Sequence, residues 1–186
     1  KPYILYVGRI CSIKRVDMLI QALPKIHQDL KVKIVGAHDE PAMEEYIKGE
    51  IARHNLSSRI KFMGRVSDEK LLSLYAKSFG VYYAPYDEDY GFVTLEALAS
   101  NKPVVTAKDS GGVLAFIKDE VNGLIADPNP DSVASAFNRL YEDKDFYQKI
   151  SSHGLSGIEL FSWPELVSNI IEKRPSSSEC KRALSG

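Results

Sequence analysis

Two glutamates, Glu88 and Glu96, are separated by seven residues that include Gly91. Glu88 belongs to an acidic run, whereas Glu96 lies among the apolar residues of a predicted helix. A carboxylate buried among apolar groups needs a partner, and a vicinal diol such as a ribose supplies two hydroxyls. Pairing of Glu96 with Lys102 or with a buried backbone group is the alternative. A glycosidase-like acid and base pair is a third hypothesis, which the rest of the chain disfavours.

A group of cations occupies residues 8–15. Arg9, Lys14 and Arg15 lie there between a predicted strand and the N-terminus of a predicted helix. Backbone N–H groups and the helix dipole favour a phosphate at such a position, where Arg9 offers a planar fork of donors and Lys14 a point charge. A solvated basic loop explains the same residues. The spacing matches neither G-x-G-x-x-G nor G-x-x-x-x-G-K-[ST], which disfavours dinucleotide and P-loop sites.

A second anion-binding position is predicted after Gly91, where a helix begins. The first N–H groups of a helix have no carbonyl partner within it. Those of Phe92, Val93 and Thr94 are therefore candidates to bind phosphate. The segment 110–112, Ser-Gly-Gly, is either another anion or sugar cradle or a tight turn.

Short apolar segments alternate with amphipathic ones along the chain. This pattern predicts an α/β fold, a three-layer doubly wound parallel sheet of about six strands, Rossmann-like, with helices at the C-terminal end. The expected strands are 3–7, 32–35, 60–63, 79–84, 103–106 and 123–126. The expected helices are 16–30, 43–54, 68–76, 92–100 and one that opens at 129–130.

Ligands bind beyond the carboxyl ends of the strands in such sheets. Five loops that contain glycine are predicted at that edge, namely 8–15, 36–39, 64–66, 84–91 and 106–112. Each glycine either ends a strand or lets the backbone approach a ligand closely. Five such loops at one edge favour a binding site.

Composition limits the classes of function. The chain has 186 residues, of which 44% are hydrophobic and 26% are charged, which suits one domain with a sizeable core. The formal charge is −1 and the basic residues are scattered, which disfavours nucleic acid and a membrane surface as partners. Cys11 and Cys180 show no metal or disulfide spacing, so a cytoplasmic location is expected, with Cys11 as an apolar filler. Because the sequence begins at Lys1, we expect a piece of a longer protein.

The domain is expected to span residues 1–173. Residues 162–165, Ser-Trp-Pro-Glu, have the spacing of a capping box and predict a final helix to about residue 173. The polar, Ser-rich segment 174–186 is expected to be a disordered tail.

The chain resembles retaining glycosyltransferases of family 4 in several segments. They are Gly8-Arg-Ile with Lys14-Arg-Val-Asp, Phe62-Met-Gly-Arg65, Glu88-x7-Glu96 with the following Ala-Leu-Ala-Ser-Asn-Lys-Pro-Val-Val, Gly111-Gly112, and Asn122-Gly-Leu-Ile-Ala-Asp-Pro128. The likeness is to the C-terminal, donor-binding half of the two-domain GT-B fold, and it extends from Tyr3 to about Lys173. The sequence departs from the family pattern at Leu114-Ala115, where a Pro-Glu pair is common, and at Asn101, which replaces a common Gly.

The resemblance implies a role for each candidate residue. Arg9 and Lys14 would hold the donor diphosphate and Glu88 would face the transferred sugar, which makes these three the expected catalytic residues. Glu96 would bind the ribose hydroxyls. The remaining expected donor-binding residues are Gly8, Arg65, Val66, Gly91, Phe92, Val93 and Thr94, with Arg65 and Val66 beside the base.

The resemblance also implies a reaction. The donor would be a nucleoside diphosphate sugar, such as a UDP- or GDP-linked one, and transfer would retain the anomeric configuration without a metal ion or other cofactor. A glycan or lipid acceptor would bind an N-terminal half that this chain lacks. The chain alone is therefore expected to bind a nucleoside diphosphate but to turn over slowly or not at all. The parent protein would act in the cytoplasm or at the cytoplasmic membrane face.

Two other functions stay open at this point. One is a non-catalytic sugar-nucleotide-binding module or partner subunit, against which the complete set Arg9, Lys14, Glu88 and Glu96 argues. The other is a GT-B-like sugar-nucleotide epimerase, which the Ala-Leu-Ala-Ser segment after Glu96 fits less well.

Overall fold

Six parallel strands form the central sheet in residues 1–154, the part of the chain that the computed structural model describes. The strands are β1 (Tyr3–Val7), β2 (Lys31–Val35), β3 (Ile60–Gly64), β4 (Gly80–Tyr82), β5 (Val104–Ala107) and β6 (Gly123–Ala126). Their order across the sheet is β3-β2-β1-β4-β5-β6. From β1, the strands β2 and β3 are added on one side of the sheet and β4, β5 and β6 on the other, so the strand order reverses between β1 and β4. Ligands of doubly wound sheets bind at such a switch point.

Helices cover both faces of the sheet. They are α1 (Val16–Ala22), α2 (Pro41–Arg53), α3 (Asp68–Lys77), α4 (Phe92–Ala99), α5 (Pro130–Glu142) and α6 (Lys144–Ser152). Alternate residues of β1 enter two separate apolar clusters, since successive side chains of a strand point to opposite faces. Ile4 packs with residues of α1, α2 and α5, whereas Leu5 packs with residues of α3 and α4. The predicted three-layer, doubly wound α/β fold is confirmed.

Local signals set several helix boundaries. The Ser67 hydroxyl accepts a hydrogen bond from the Lys70 N–H at 3.3 Å, which caps α3. Asn129 caps α5 in the same way, through the Ser132 N–H at 2.9 Å. Asn101 has a φ of 53°, a left-handed conformation that ends α4 and that Asn adopts more readily than most residues.

Two predicted elements are shorter than expected. The helix predicted over residues 16–30 stops at Ala22 and continues as a 3-10 turn, Leu23–Lys25. Pro24 lies in that turn and has no N–H with which to continue an α-helix. The strand predicted over 79–84 covers only Gly80–Tyr82, and the Ala84 carbonyl accepts a side-chain hydrogen bond instead of joining the sheet.

Some expectations concern residues outside the described range 1–154. These are the final helix after residue 162, the domain limit at residue 173 and the tail 174–186. Within the described range, Cys11 is a buried free cysteine, as predicted. No helix there is both long enough and apolar enough to cross a membrane.

Candidate donor-binding site

The loops that follow β1, β2 and β3 are hydrogen-bonded to one another at the carboxyl edge of the sheet. The Gly8 N–H donates to the Val35 carbonyl at 3.0 Å, and the Gly36 N–H donates to the Gly64 carbonyl at 3.0 Å. Gly36 has a φ of 143°, and a Cβ there would lie 1.8 Å from the Gly8 carbonyl oxygen. Only glycine permits this close approach of the two loops.

An open cleft of about 320 Å³ lies at this side of the edge. Its lining includes Val7, Gly8, Arg9, Gly36, Asp39, Arg65 and Val66. Gly8, Arg9, Arg65 and Val66 are four of the expected donor-binding residues, so the fold brings them together. The volume falls at the lower end of the range for small-molecule sites.

Arg9, like Arg65, is an accessible cation of the cleft. Its side chain is 66% exposed, and its Nη1 lies 3.1 Å from Asp39 Oδ2. The hydrogen bond to Asp39 is the main cause of the raised pKa of Arg9, and the charge of Glu88 makes a smaller contribution. Asp39 was not among the predicted site residues, although it lies in one of the five predicted loops.

Lys14 and Glu88 form an ion pair at the switch point between β1 and β4. Their side chains are only 15% and 19% exposed. The Tyr83 hydroxyl donates to the same carboxylate oxygen, Oε2, at 2.9 Å. Burial by itself would raise the pKa of Glu88, but the hydrogen bonds from Lys14 and Tyr83 and the charge of Lys14 outweigh it and lower the pKa. Glu88 is therefore an ionised acceptor at neutral pH.

The Gly111-Gly112 pair lies against the backbone of the acidic loop, residues 87–89. The Gly112 N–H donates to the Glu88 carbonyl at 2.6 Å. A Cβ on Gly111 would lie 2.7 Å from the Glu88 backbone nitrogen, and one on Gly112 would lie 2.0 Å from the Asp89 carbonyl oxygen. The pair thus lets two backbones meet and fixes the position of Glu88.

Arg15 has a structural role that its position in the basic loop did not reveal. Its guanidinium donates to both carboxylate oxygens of Asp109, at 2.9 and 2.7 Å. It also donates to the carbonyls of Ala84, at 2.9 Å, and Pro85, at 2.7 Å. The Tyr82 hydroxyl donates to the Arg15 carbonyl at 2.9 Å. Arg15 therefore ties together the loops after β1, β4 and β5.

Glu96 is exposed, so the prediction of a buried carboxylate is wrong. Ala97 and Leu98 face the core instead. The sequence did not reveal which side of α4 is exposed, because apolar residues lie on that side too. Phe92, for example, is 68% exposed. The Tyr75 hydroxyl donates to Glu96 Oε2 at 2.7 Å. Within residues 1–154 no ion pair joins Glu96 to Lys102, the alternative partner considered.

The N-terminus of α4 supplies fewer free N–H groups than predicted. Gly91 has a φ of 69°, and a Cβ there would lie 2.7 Å from Val113 Cγ2. The Thr94 N–H donates to the Gly91 carbonyl at 2.8 Å, and the Thr94 side chain is fully buried. The expectation that Thr94 offers a free N–H is therefore wrong, because the first turn of α4 closes on Gly91. Phe92 and Val93 remain candidates.

Four site residues were missed by sequence analysis, namely Asp39, Tyr75, Tyr83 and Asp109. Asp39, Tyr75 and Asp109 are identified by contacts between elements that are distant in the chain. Tyr83 follows a strand and resembles a core residue in the sequence. Among residues 1–154, no three His, Cys, Asp or Glu side chains come together as a metal site would require.

The chain belongs to a known family of enzymes. Residues 1–156 match the family described as glycosyl transferases group 1. With the six-stranded sheet and the shared fold of its structural neighbours, this match confirms the resemblance to the C-terminal domain of a GT-B glycosyltransferase.

Three relatives illustrate the likeness. An uncharacterized glycosyltransferase of Methanocaldococcus jannaschii is 33% identical over 172 residues, which are 90% of this chain and 43% of that protein. A D-inositol 3-phosphate glycosyltransferase of Nocardia farcinica is 27% identical over 180 residues, 92% of this chain and 40% of that protein. The crystal structure of Anabaena HepE in complex with UDP and glucose superposes with a TM-score of 0.83 at 26% identity, covering 91% of this chain and 47% of HepE. The chain thus spans under half the length of each relative.

Proposed function

We propose that this chain is the donor-binding half of a retaining hexosyltransferase. It holds a nucleoside diphosphate sugar, and an N-terminal half supplies the glycan or lipid acceptor. The observation that carries the proposal is the placement of Arg9, the Lys14–Glu88 pair and the N-terminus of α4 along one edge of the sheet.

The diphosphate has two sources of positive potential at this edge. Arg9 and Lys14 supply cations, and the N–H groups of Phe92 and Val93 supply the positive end of α4. As the bond from the anomeric carbon to the diphosphate breaks, negative charge grows on the leaving oxygen. Preorganised cations and N–H groups stabilise that charge more than they stabilise the bound donor. The proposal therefore requires no metal ion or other cofactor.

The two glutamates recognise hydroxyls in this proposal. Glu88, ionised and held at the switch point, accepts from the transferred sugar. Glu96, exposed at the surface of α4, accepts from the ribose diol, a role that does not require the burial first predicted for it. Arg65 and Val66 border the cleft where the base would lie. A crystal structure of HepE in complex with UDP-glucose superposes on this chain with a TM-score of 0.82 at 26% identity. UDP-hexoses are therefore the first donors to test.

The resemblance to family 4 supports retention of configuration. The acceptor hydroxyl then bonds to the anomeric carbon on the face that the diphosphate leaves, and its proton passes to an oxygen of the leaving diphosphate. Because nearly half of the relatives' length is matched by this chain, the acceptor site is assigned to the remainder of the parent protein. We place that parent in the cytoplasm, or at the cytoplasmic membrane face if its acceptor is a lipid.

Thermal unfolding with UDP, GDP, ADP or NAD tests the donor site. We expect one nucleoside diphosphate to stabilise the chain, by about 2.7 kcal/mol at a concentration one hundred times its Kd, and NAD to have no effect. Lys14→Met should abolish the shift. Lys48→Met is the matched control, because Lys48 pairs with Glu44 on the surface of α2. If no nucleoside diphosphate raises the melting temperature at millimolar concentration, the proposal is wrong.

Turnover tests the division of labour between the two halves. The full-length parent should transfer a hexose from its donor, with the anomeric proton coupling of the product equal to that of the donor. The present chain alone should bind the donor without transferring the sugar. Robust transfer by this chain alone would refute the assignment of the acceptor site to the other half.

A further inference from the structure

Glu88 receives two hydrogen bonds on one oxygen. Lys14 Nζ and the Tyr83 hydroxyl both donate to Oε2, while the backbone of Glu88 is held by the Gly112 N–H. Lys14 also lies 5.8 Å from the centroid of the Tyr83 ring. Lys14, Tyr83 and Glu88 therefore form a compact triad, of which the proposed function uses only the lysine and the glutamate.

A bound diphosphate competes with Glu88 for Lys14. This step rests on the proposed function, in which Lys14 supplies charge to the donor. A diphosphate offers several anionic oxygens, so a single ammonium group shared between it and Glu88 is drawn away from the carboxylate. Glu88 then keeps the Tyr83 hydroxyl as its fixed side-chain donor at the moment when it must orient toward a sugar.

Tyr83 is suited to hold a carboxylate in place. It is 5% exposed and lies just after β4, on the rigid sheet. A Cβ on Gly91 would lie 3.0 Å from Tyr83 Cε1, so the ring is packed against the start of α4. Burial, followed by the hydrogen bond to Glu88, raises the pKa of Tyr83 far above its ordinary value. The phenol therefore remains a hydrogen-bond donor throughout the neutral range.

We propose that Tyr83 is a positioning residue that fixes Glu88 for sugar recognition after Lys14 has turned to the diphosphate. Tyr83 acts through Glu88 and does not itself bind the donor. Its removal should therefore weaken recognition of the sugar while leaving recognition of the nucleoside diphosphate nearly intact. A purely structural role would weaken both alike.

Calorimetry on the full chain measures the two affinities separately. The probes are UDP and a panel of UDP-hexoses, of which the tightest binder to the wild-type chain is used. For Tyr83→Phe we expect the affinity for the UDP-hexose to fall about tenfold, the size expected for loss of one hydrogen bond to a charged group. The affinity for UDP should change by less than about twofold. Tyr82→Phe is the matched control, because the Tyr82 hydroxyl bonds to the Arg15 carbonyl and not to Glu88. It should change both affinities by the same factor.

The outcomes separate this inference from the proposed function. Failure of the wild-type chain to bind any nucleoside diphosphate or nucleoside diphosphate hexose would overturn both; a chain that binds GDP or ADP instead of UDP is measured with the matching hexose donors. Binding by the wild type, with Tyr83→Phe lowering both affinities equally or neither, would overturn the role of Tyr83 alone. In the full-length parent, the same substitution should lower kcat/KM for the donor about tenfold and leave inhibition by UDP unchanged.

The role of Tyr83 can also be tested on the wild-type chain, so that the test does not depend on whether the Tyr83→Phe protein folds. With tyrosine labelled with carbon-13 at Cζ, the exchange of the Tyr83 hydroxyl proton for deuterium is followed by NMR. We expect this proton to stay protected when UDP is added, because Glu88 still accepts it. Loss of protection on addition of UDP would show that Tyr83 releases Glu88 together with Lys14, and the inference would be wrong.

Discussion

The two sides of the binding edge are built differently. Beyond β4 and β5, charged side chains bind one another, and Arg15 is 17% exposed in its bidentate contact with Asp109. Beyond β1, β2 and β3, the loops leave an open cleft, and Arg9 is 66% exposed beside Asp39. One side is assembled through contacts among its own charged side chains, whereas the other presents open surface.

The contrast shows how neighbouring cations of one loop acquire different roles. Arg15 has a φ of 48°, which turns the chain at the start of α1 and directs the side chain toward the carboxyl ends of β4 and β5. Arg9 lies two residues after the end of β1, and its guanidinium stays at the cleft. The same residue type thus stabilises the site in one place and is available to a ligand in the other.

Arg15→Met should have the largest effect on stability. It removes a largely buried guanidinium that satisfies Asp109 and two backbone carbonyls. We expect the free energy of unfolding to fall by about 3 kcal/mol, since the carboxylate and the carbonyls lose their partner. Urea denaturation measures this change.

Arg9→Met is the matched control for that experiment. The Arg9 side chain is 66% exposed and bonds to the Asp39 carboxylate, whereas Arg15 ties three loops together. Stability should therefore not change measurably, while affinity for the nucleoside diphosphate should fall. If Arg15→Met and Arg9→Met have equal effects on unfolding, the distinction between the two sides of the edge is wrong.

Gly112→Ala should disturb the assembled side next most strongly. The added Cβ would meet the Asp89 carbonyl oxygen at 2.0 Å, so the acidic loop must move. We expect a loss of about 2 kcal/mol in unfolding free energy, together with weaker donor binding. Both are measured on the same protein, by denaturation and by calorimetry.

Gly49→Ala gives the comparison within α2. A Cβ at Gly49 meets no atom within 4 Å, so the substitution should raise stability by up to about 1 kcal/mol through helix propensity. A destabilised Gly49→Ala protein, or a Gly112→Ala protein as stable as the wild type, would contradict the packing described for these glycines.

Much of the fold could be predicted from sequence, since it depends on local patterns. Alternating apolar segments predicted all six strands, and Ser67 and Asn129 marked the starts of α3 and α5. The exposure of Glu96 could not be predicted, because an eight-residue helix that is apolar on most sides has no periodicity to identify its outer face. The contact of Tyr83 with Glu88 depends on where the sheet places a strand-end ring, which no local pattern encodes.

The pH dependence of stability tests the Lys14–Glu88 pair. Because the pKa of Glu88 in the folded chain is lowered from its usual value of 4.5, ionised Glu88 stabilises the fold above that pH. This contribution is lost as the pH falls through the folded-state pKa. Denaturation between pH 3 and pH 7 should give a steeper loss for the wild type than for Glu88→Gln. Parallel curves would show that the pair does not lower the pKa of Glu88.

The two tyrosine–glutamate pairs allow the finest comparison. Tyr75 donates to the exposed Glu96, whereas Tyr83 donates to the largely buried Glu88. Water can replace the phenol of Tyr75, so Tyr75→Phe should weaken nucleoside diphosphate binding by only about twofold, and Glu96→Ala by about fivefold through loss of the ribose contact. Calorimetry with UDP measures both.

A Glu96→Ala protein that binds UDP as tightly as the wild type would refute the ribose role. An effect of Tyr75→Phe as large as that of Glu96→Ala would show that Glu96 depends on a fixed partner as strictly as Glu88 does.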